Sequence, residues 1–454
     1  MMKNILVVTI PFLIYITLFN YIENQKDLLL ITLLMSTILF WATALIPDYQ
    51  TSLIFLFTTL AFSLSTKEII FSGFSSSAFW LVFAGMLIAT AIKNVNLSLR
   101  LTSFFTRLHN PSYLKILVLV SFFAFGLAFI MPSGTARVVL LVPIGIIIAK
   151  SFSFNENSKG YTGILLTIIL STTLPAFTVL PANAPNMILS GLTYQIFDYE
   201  LSYSYYLASN FLVLGLVKNV IIVALIYHFF KDTPTLVQAN HTNTNLTKDE
   251  KIVLFTITLM LLFWLSDFVH GISPTIVAIL GTLILANPTV NIIKTKDINS
   301  VNFSSLIFLA TIISLGNILA NNELTKGIFI TILNQIEFSN NLFLNYMVLN
   351  TYMGLSGIFL TQATIPVLFT PMIDQISLLS SFNHYELFMM QVTAFSTVIF
   401  PYQMPPLVIG LALADIKPIQ MIKILSIISI ITIIVLFPLQ YLWIGLIPKS
   451  SFLF

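Results

Sequence analysis

The sequence predicts an all-α polytopic membrane protein with about 11 transmembrane helices and two re-entrant hairpins, in two inverted repeats. Three observations carry that prediction. The 454-residue chain is 57% hydrophobic and 8% charged, with a mean hydropathy of +0.97, where a soluble domain carries roughly 25% charged residues. Its apolar runs are continuous, unlike the short alternating segments of a transmembrane barrel. Two of these runs are broken by small polar residues at corresponding places in the two halves.

A spanning helix needs ~20 mostly apolar residues. Residues 1–27 hold an N-terminal span at 4–22; no small-x-small cleavage site follows it, so a retained helix is expected rather than a signal peptide. The first repeat, 28–231, has spans at 28–46, 50–66 and 78–108, the last longer than one crossing. A re-entrant hairpin at 113–150, a broken helix at 160–197 and a span at 205–231 complete it. A polar cytoplasmic linker, 232–250, separates the halves. The second repeat, 251–454, has spans at 251–270, 272–290 and 303–333, a hairpin at 342–380, a broken helix at 384–413 and a span at 419–447.

The repeats rest on three markers. Ser133 to Pro143 matches Thr361 to Pro371 at an offset of 228; Pro181 and Pro185 match Pro401 and Pro405 at 220; and Leu97 aligns with Leu324 at 227. With the N-terminus in the cytoplasm, thirteen lysines and arginines fall inside, four outside and three (Lys93, Arg137 and Lys218) within segments. That excess satisfies the positive-inside rule and puts the C-terminus outside. Five spans per half make the repeats inverted, a pattern characteristic of secondary transporters. The glycosylation sequons at Asn240 and Asn245 fall in the cytoplasmic linker and carry little weight.

Irregular backbone survives in hydrocarbon only where protein or a water-filled cavity covers it. Ser133, Gly134 and Thr135, with Thr361, Gln362, Ala363 and Thr364, are therefore expected to be hairpin tips lining a transport site. Half-helix N-termini there would cradle a carboxylate or oxyanion. The breaks at 181–186 and 401–406 free carbonyls, because proline removes a donor and clashes one turn back. With Asn183, Asn186 or Gln403 these oxygens could coordinate sodium, and Ser133, Thr135 and Thr361 are candidate ligands too; the alternative is an unwound hinge without an ion. Arg137 suits bidentate recognition of a carboxylate, sulfate or phosphate. Its alternative is a structural arginine bonding hairpin carbonyls or snorkelling to the cytoplasm. Lys218, Lys93 and Asp374 are weaker candidates.

No cysteine is present, no His-Glu-x-x-His or phosphate loop occurs, and the five histidines are scattered. An enzyme, a resident metal or cofactor and a nucleic-acid partner are therefore not expected.

PSGTAR followed by LLVP, PANAPNMILSG (181–191), TQATIPVLFTP, PYQMPPLVIG and the stretch from Phe71 to Leu101 resemble the divalent anion:sodium symporter family, which carries dicarboxylates, citrate or sulfate. The resemblance covers nearly the whole chain. It implies an elevator-type carrier, a homodimer, a small anionic substrate, sodium as coupling ion and a cytoplasmic-membrane location. It also implies that Ser133, Gly134 and Thr135, and Thr361, Gln362 and Ala363, stand where the family has Ser-Asn-Thr, with Pro185 and Pro405 completing the site. Both asparagines are replaced, by Gly134 and Gln362, and Ala363 lacks the last hydroxyl. A proton-coupled carrier or exchanger is the nearest alternative; an intramembrane enzyme or a non-transporting relative is further away.

Overall fold

A computed structural model describes residues 2–43, 45–95, 111–235, 246–322, 338–359 and 361–447. The chain is all-helical, with no strand among these residues. Residues 96–108 of the expected fourth span, the middle of the 232–250 linker, and Asn240 and Asn245 lie outside them.

Helices occupy the apolar runs, because in a bilayer a helix satisfies its backbone internally. The first four long ones are Met2–Phe19, Gln25–Thr43, Asp48–Ala61 and Ser77–Asn94. Hydroxyl caps set several starts: Ser112, Ser133, Ser158 and Ser202 each accept a first-turn amide, and Thr247 forms a capping box with Glu250. Among the described residues, five helices are long and apolar enough to cross a membrane: Ser77–Asn94, Gly134–Ser151, Lys159–Thr178, Tyr203–Phe230 and Pro418–Leu446. A sixth is added if Thr364–Ser380 and His384–Phe395, bent by 116°, form one span. Shorter apolar helices include Tyr113–Phe129, Pro274–Ala286, Phe303–Leu319 and Pro405–Ala414.

The chain divides into two compact units. One comprises Met1–Phe79, Met187–Leu201 and Asn302–Gln391. In it the Phe303–Asn321 helix packs on Asp48–Ala61 and on the short Ser72–Ser75 turn. Gly73 makes that approach possible, since a Cβ there would lie 1.8 Å from the Ala310 carbonyl oxygen. Its amide donates to Ser314 Oγ at 3.0 Å.

The other unit comprises Trp80–Asn186, Ser202–Val301 and Val392–Phe454. Its centre is the Lys159–Thr173 helix, buried at every position from Gly160 onward. A helix apolar all round belongs inside, and this one packs against Tyr113–Gly126, Gly134–Ser151 and Lys218–Phe230.

Both helix breaks lie in this second unit. After Thr173 the chain runs through 3-10 turns at Pro175–Thr178 and Leu180–Ala182, and helix resumes at Ala184. The first break is thus wider than its marker, Pro181. After Phe395 the chain is irregular to Phe400, turns through Pro401–Gln403 and resumes helix at Pro405. Two π-helical turns, Phe211–Val217 and Thr432–Leu436, begin 221 residues apart. Sequence patterning did not signal either.

Candidate functional site

The chain is irregular between the 3-10 turn Leu127–Phe129 and the helix Gly134–Ser151, where the first hairpin tip is expected. Pro132 cannot supply an amide, and Ser133 takes an extended conformation as N-cap, its Oγ accepting from Ala136 N at 3.2 Å. Gly134 and Thr135 therefore belong to the first helical turn, where backbone N–H groups have no intrahelical partner. Gly134 is buried, and Ser133 and Thr135 are half-buried. A Cβ on Gly134 would lie 3.0 Å from Asn183 Oδ1, 3.2 Å from Pro406 Cγ and 3.6 Å from Arg137 Nη2. The hairpin tip and both helix breaks thus converge on one glycine, which leaves its backbone open to close approach.

Arg137 is fully buried. Its Nε donates to the Thr172 carbonyl and to Thr172 Oγ1, each at 3.2 Å. Nη2 donates to the Thr172 carbonyl at 3.0 Å and to Asn183 Oδ1 at 3.1 Å. Nη1 donates to the carbonyls of Met131 and Ala182, the latter at 2.9 Å. A guanidinium has five N–H donors, and all five are directed at protein oxygens here. In this conformation none remains for a substrate carboxylate. Its partners are carbonyl dipoles and a side-chain amide, not a carboxylate, and they tie the tip to both ends of the first break.

The two asparagines of that break differ. Asn183 is engaged at both ends, with Oδ1 on Arg137 and Nδ2 donating to the Thr173 carbonyl at 3.3 Å. Asn186 is fully buried; its Nδ2 donates to the carbonyls of Val179 at 2.8 Å and Ala176 at 3.4 Å. Its Oδ1 has no hydrogen-bond partner among the described residues. A buried unpaired oxygen costs roughly 1–3 kcal/mol, and it is the kind of hard ligand that a sodium ion would satisfy. Pro185 is buried beside it.

At the second break Gln403 is buried, and its Oε1 accepts the amides of Ile399 and Phe400, each at 2.8 Å. That oxygen is thus spent on shaping the turn. Pro405 is exposed, and it is the adjacent Pro406 that is buried and faces Gly134.

The second hairpin tip lies in the other unit. Thr361 is half-buried, while Gln362, Ala363 and Thr364 are buried. The Thr361 and Thr364 hydroxyls lie 3.1 Å apart, and the Thr364 amide donates to the Thr361 carbonyl at 3.0 Å. The hydroxyl lost at Ala363 is thus present one position on. Asp374 pairs with His384 at 3.1 Å, both side chains exposed. Lys93 is exposed, whereas Lys218 is fully buried. Among the described residues no group of three or more His, Cys, Asp or Glu could hold a metal ion.

Sequence reasoning missed Thr172, Met131, Ala182 and Pro406. Three of them take part through backbone or ring atoms, which any residue type could supply. Ala182 and Pro406 lie within the breaks at 181–186 and 401–406 and Met131 borders the first tip, so the sequence marked their neighbourhood, whereas Thr172 lies outside all of these.

A multi-pass helical protein whose interrupted helices meet a hairpin tip around polar backbone has the architecture of a secondary carrier. The chain belongs to the sodium:sulfate symporter family, whose transmembrane-region model matches residues 1–448. It is also similar to the sodium-dependent dicarboxylate transporter SdcS of Staphylococcus aureus strain USA300, at 26% identity over 211 residues. That match covers 45% of this chain and 39% of the relative, so the chain matches about two fifths of the relative's length. The same protein from strain NCTC 8325 / PS 47 matches at the same identity and coverage. In fold the chain resembles the Alcanivorax borkumensis YdaH transporter, with a TM-score of 0.54, 14% identity, and 84% of this chain and 87% of that chain covered.

Proposed function

We propose that this protein is a secondary carrier that moves a small anion, a di- or tricarboxylate or sulfate, across the cytoplasmic membrane, with sodium as coupling ion. The observation that carries the reading is the junction at Gly134, where a half-helix N-terminus meets two helix breaks, together with the unpartnered Asn186 Oδ1 at the end of the first of these breaks.

The chemistry assigned to the site follows from what is left over. Arg137 has no N–H to spare, so the anion would be held by first-turn amides of the Gly134–Ser151 helix and by the hydroxyls of Ser133 and Thr135. Sodium would bind at Asn186 Oδ1 and nearby carbonyls of the first break, offsetting the anion's charge. Asn183 and Gln403 would act by shaping their breaks.

The same reading includes eleven spans, two inverted repeats, elevator motion, a homodimer and a cytoplasmic N-terminus. The family match and the sodium-dependent dicarboxylate transporter among its relatives support the anion and the ion. The matching spacing of the two π-turns supports the repeat, because 221 residues is close to the 220 that separates the proline pairs.

Reconstituted vesicles test it. Radiolabelled succinate, citrate or sulfate is expected to accumulate under an inward sodium gradient and not under potassium. Accumulation under a proton gradient alone, or only against a counter-anion, would replace sodium symport by one of the alternatives. No accumulation of any of the three under any gradient would remove the carrier reading.

A further inference from the structure

Lys218 opens the helix Lys218–Phe230, directly after the π-turn Phe211–Val217. Its side chain is fully buried. Nζ donates to the Ser396 carbonyl at 2.6 Å and to Ser396 Oγ at 3.2 Å. Neither partner is a carboxylate. A buried ammonium without a counter-ion is costly and is a functional hypothesis by default.

Ser396 stands one residue past the His384–Phe395 helix, where the second break begins. The C-terminal end of a helix carries roughly half a negative charge on carbonyls that lack intrahelical donors. Lys218 brings its charge to this end. Two further acceptors of the break are taken as well: Ser429 Oγ donates to the Val398 carbonyl at 2.8 Å, and Gln403 Oε1 holds two amides.

The first break likewise holds a buried cation, Arg137, on the Thr172 carbonyl at its helix end, but differs in one respect. Its Thr172, Thr173, Ala176 and Val179 carbonyls are taken by Arg137, Asn183 and Asn186, yet Asn186 Oδ1 is left without a partner. Both breaks therefore hold a buried basic side chain on a helix-end carbonyl, but the first also keeps an unpartnered side-chain oxygen for a further cation. We propose that Lys218 is a tethered cation that supplies the positive charge a second coupling ion would otherwise bring to the Ser396–Phe400 break, leaving one sodium site, at Asn186. This rests on the carrier reading for its functional meaning, though not for its test.

The test is the sodium dependence of thermal stability, measured in detergent in sodium chloride against potassium chloride at equal ionic strength. The wild type is expected to respond to sodium as a single site, with a Hill coefficient of about one. Lys218→Gln and Lys218→Met are expected to lose stability in potassium and to regain it in sodium, with a coefficient rising to about two. Lys218→Arg is expected to behave as the wild type. An unchanged sodium response in both neutral variants would overturn the proposal. If neither variant folds in either salt, the wild-type titration decides: one site upholds the proposal and two sites overturn it. Uptake in vesicles separates the two readings. A wild type that moves no anion while Lys218→Gln gains a sodium response would end the carrier reading alone. Transport that requires two sodium ions in the wild type would end this inference alone.

Discussion

Gly134 is the tightest point of the site and the residue at which this chain departs from the asparagine its family resemblance implies. A Cβ there would press on Asn183 Oδ1 at 3.0 Å and Pro406 Cγ at 3.2 Å, both part of the breaks that shape the site. Gly134→Asn is therefore expected to cost about 1–3 kcal/mol of stability through overpacking, and to lower uptake rather than improve it. A thermal midpoint equal to the wild type's would show that the tip has more room than this. Arg137 can be separated into structural and substrate roles in the same way. Arg137→Lys leaves at most three donors for oxygens that now occupy five, and each stranded buried acceptor costs about 1–3 kcal/mol. Stability and uptake are expected to fall together. Lost uptake with an unchanged midpoint would instead mean that the guanidinium reaches substrate. The break itself was legible in Pro132, Ser133 and Gly134, because that residue set suits neither a helix interior nor a lipid face. The partners of Arg137 were not. Thr172 and Ala182 lie 35 and 45 residues away and act mainly through carbonyls, which every residue owns.

At the scale of elements, hydropathy located the helices and proline located their interruptions, because both report on the backbone's need for internal hydrogen bonds. Extents were harder to read. The first break begins at Leu174, well before the Pro181 that marked it, since Pro175 already ends the regular helix. The π-turns carry no comparable residue signature, as neither contains a proline or a cluster of small polar residues. Close helix contacts likewise depend on which glycine meets a neighbour. Gly73→Ala would place a Cβ 1.8 Å from a backbone oxygen that cannot rotate away. It is expected to lie at or above the top of the ~0.5–3 kcal/mol range common for single substitutions. Gly126, at the end of the Tyr113–Gly126 helix, has nothing within 4 Å of such a Cβ. Gly126→Ala is expected to be neutral or to stabilise by up to about 1 kcal/mol. Thermal melts of the pair check the packing around both glycines; equal effects would contradict it.

For the whole molecule, composition alone fixed the solvent: a chain with 8% charged residues has to place its apolar runs in lipid. Family membership extends that to a class of carriers. What the residue pattern left open was how the polar groups at each break are spent, because that depends on pairings between distant segments. The first break keeps the unpartnered Asn186 Oδ1, and the second is closed by Gln403 and Lys218. The claim that depends on all of this is that an anion and sodium move together through one chain. Uptake of radiolabelled succinate, citrate and sulfate into vesicles, driven by a sodium gradient and repeated with Asn186→Ala, tests it most directly. Accumulation of at least one of these anions that requires sodium, with Asn186→Ala needing more sodium for half-maximal uptake, is the predicted result. Accumulation indifferent to sodium, or a sodium requirement untouched by Asn186→Ala, would contradict it.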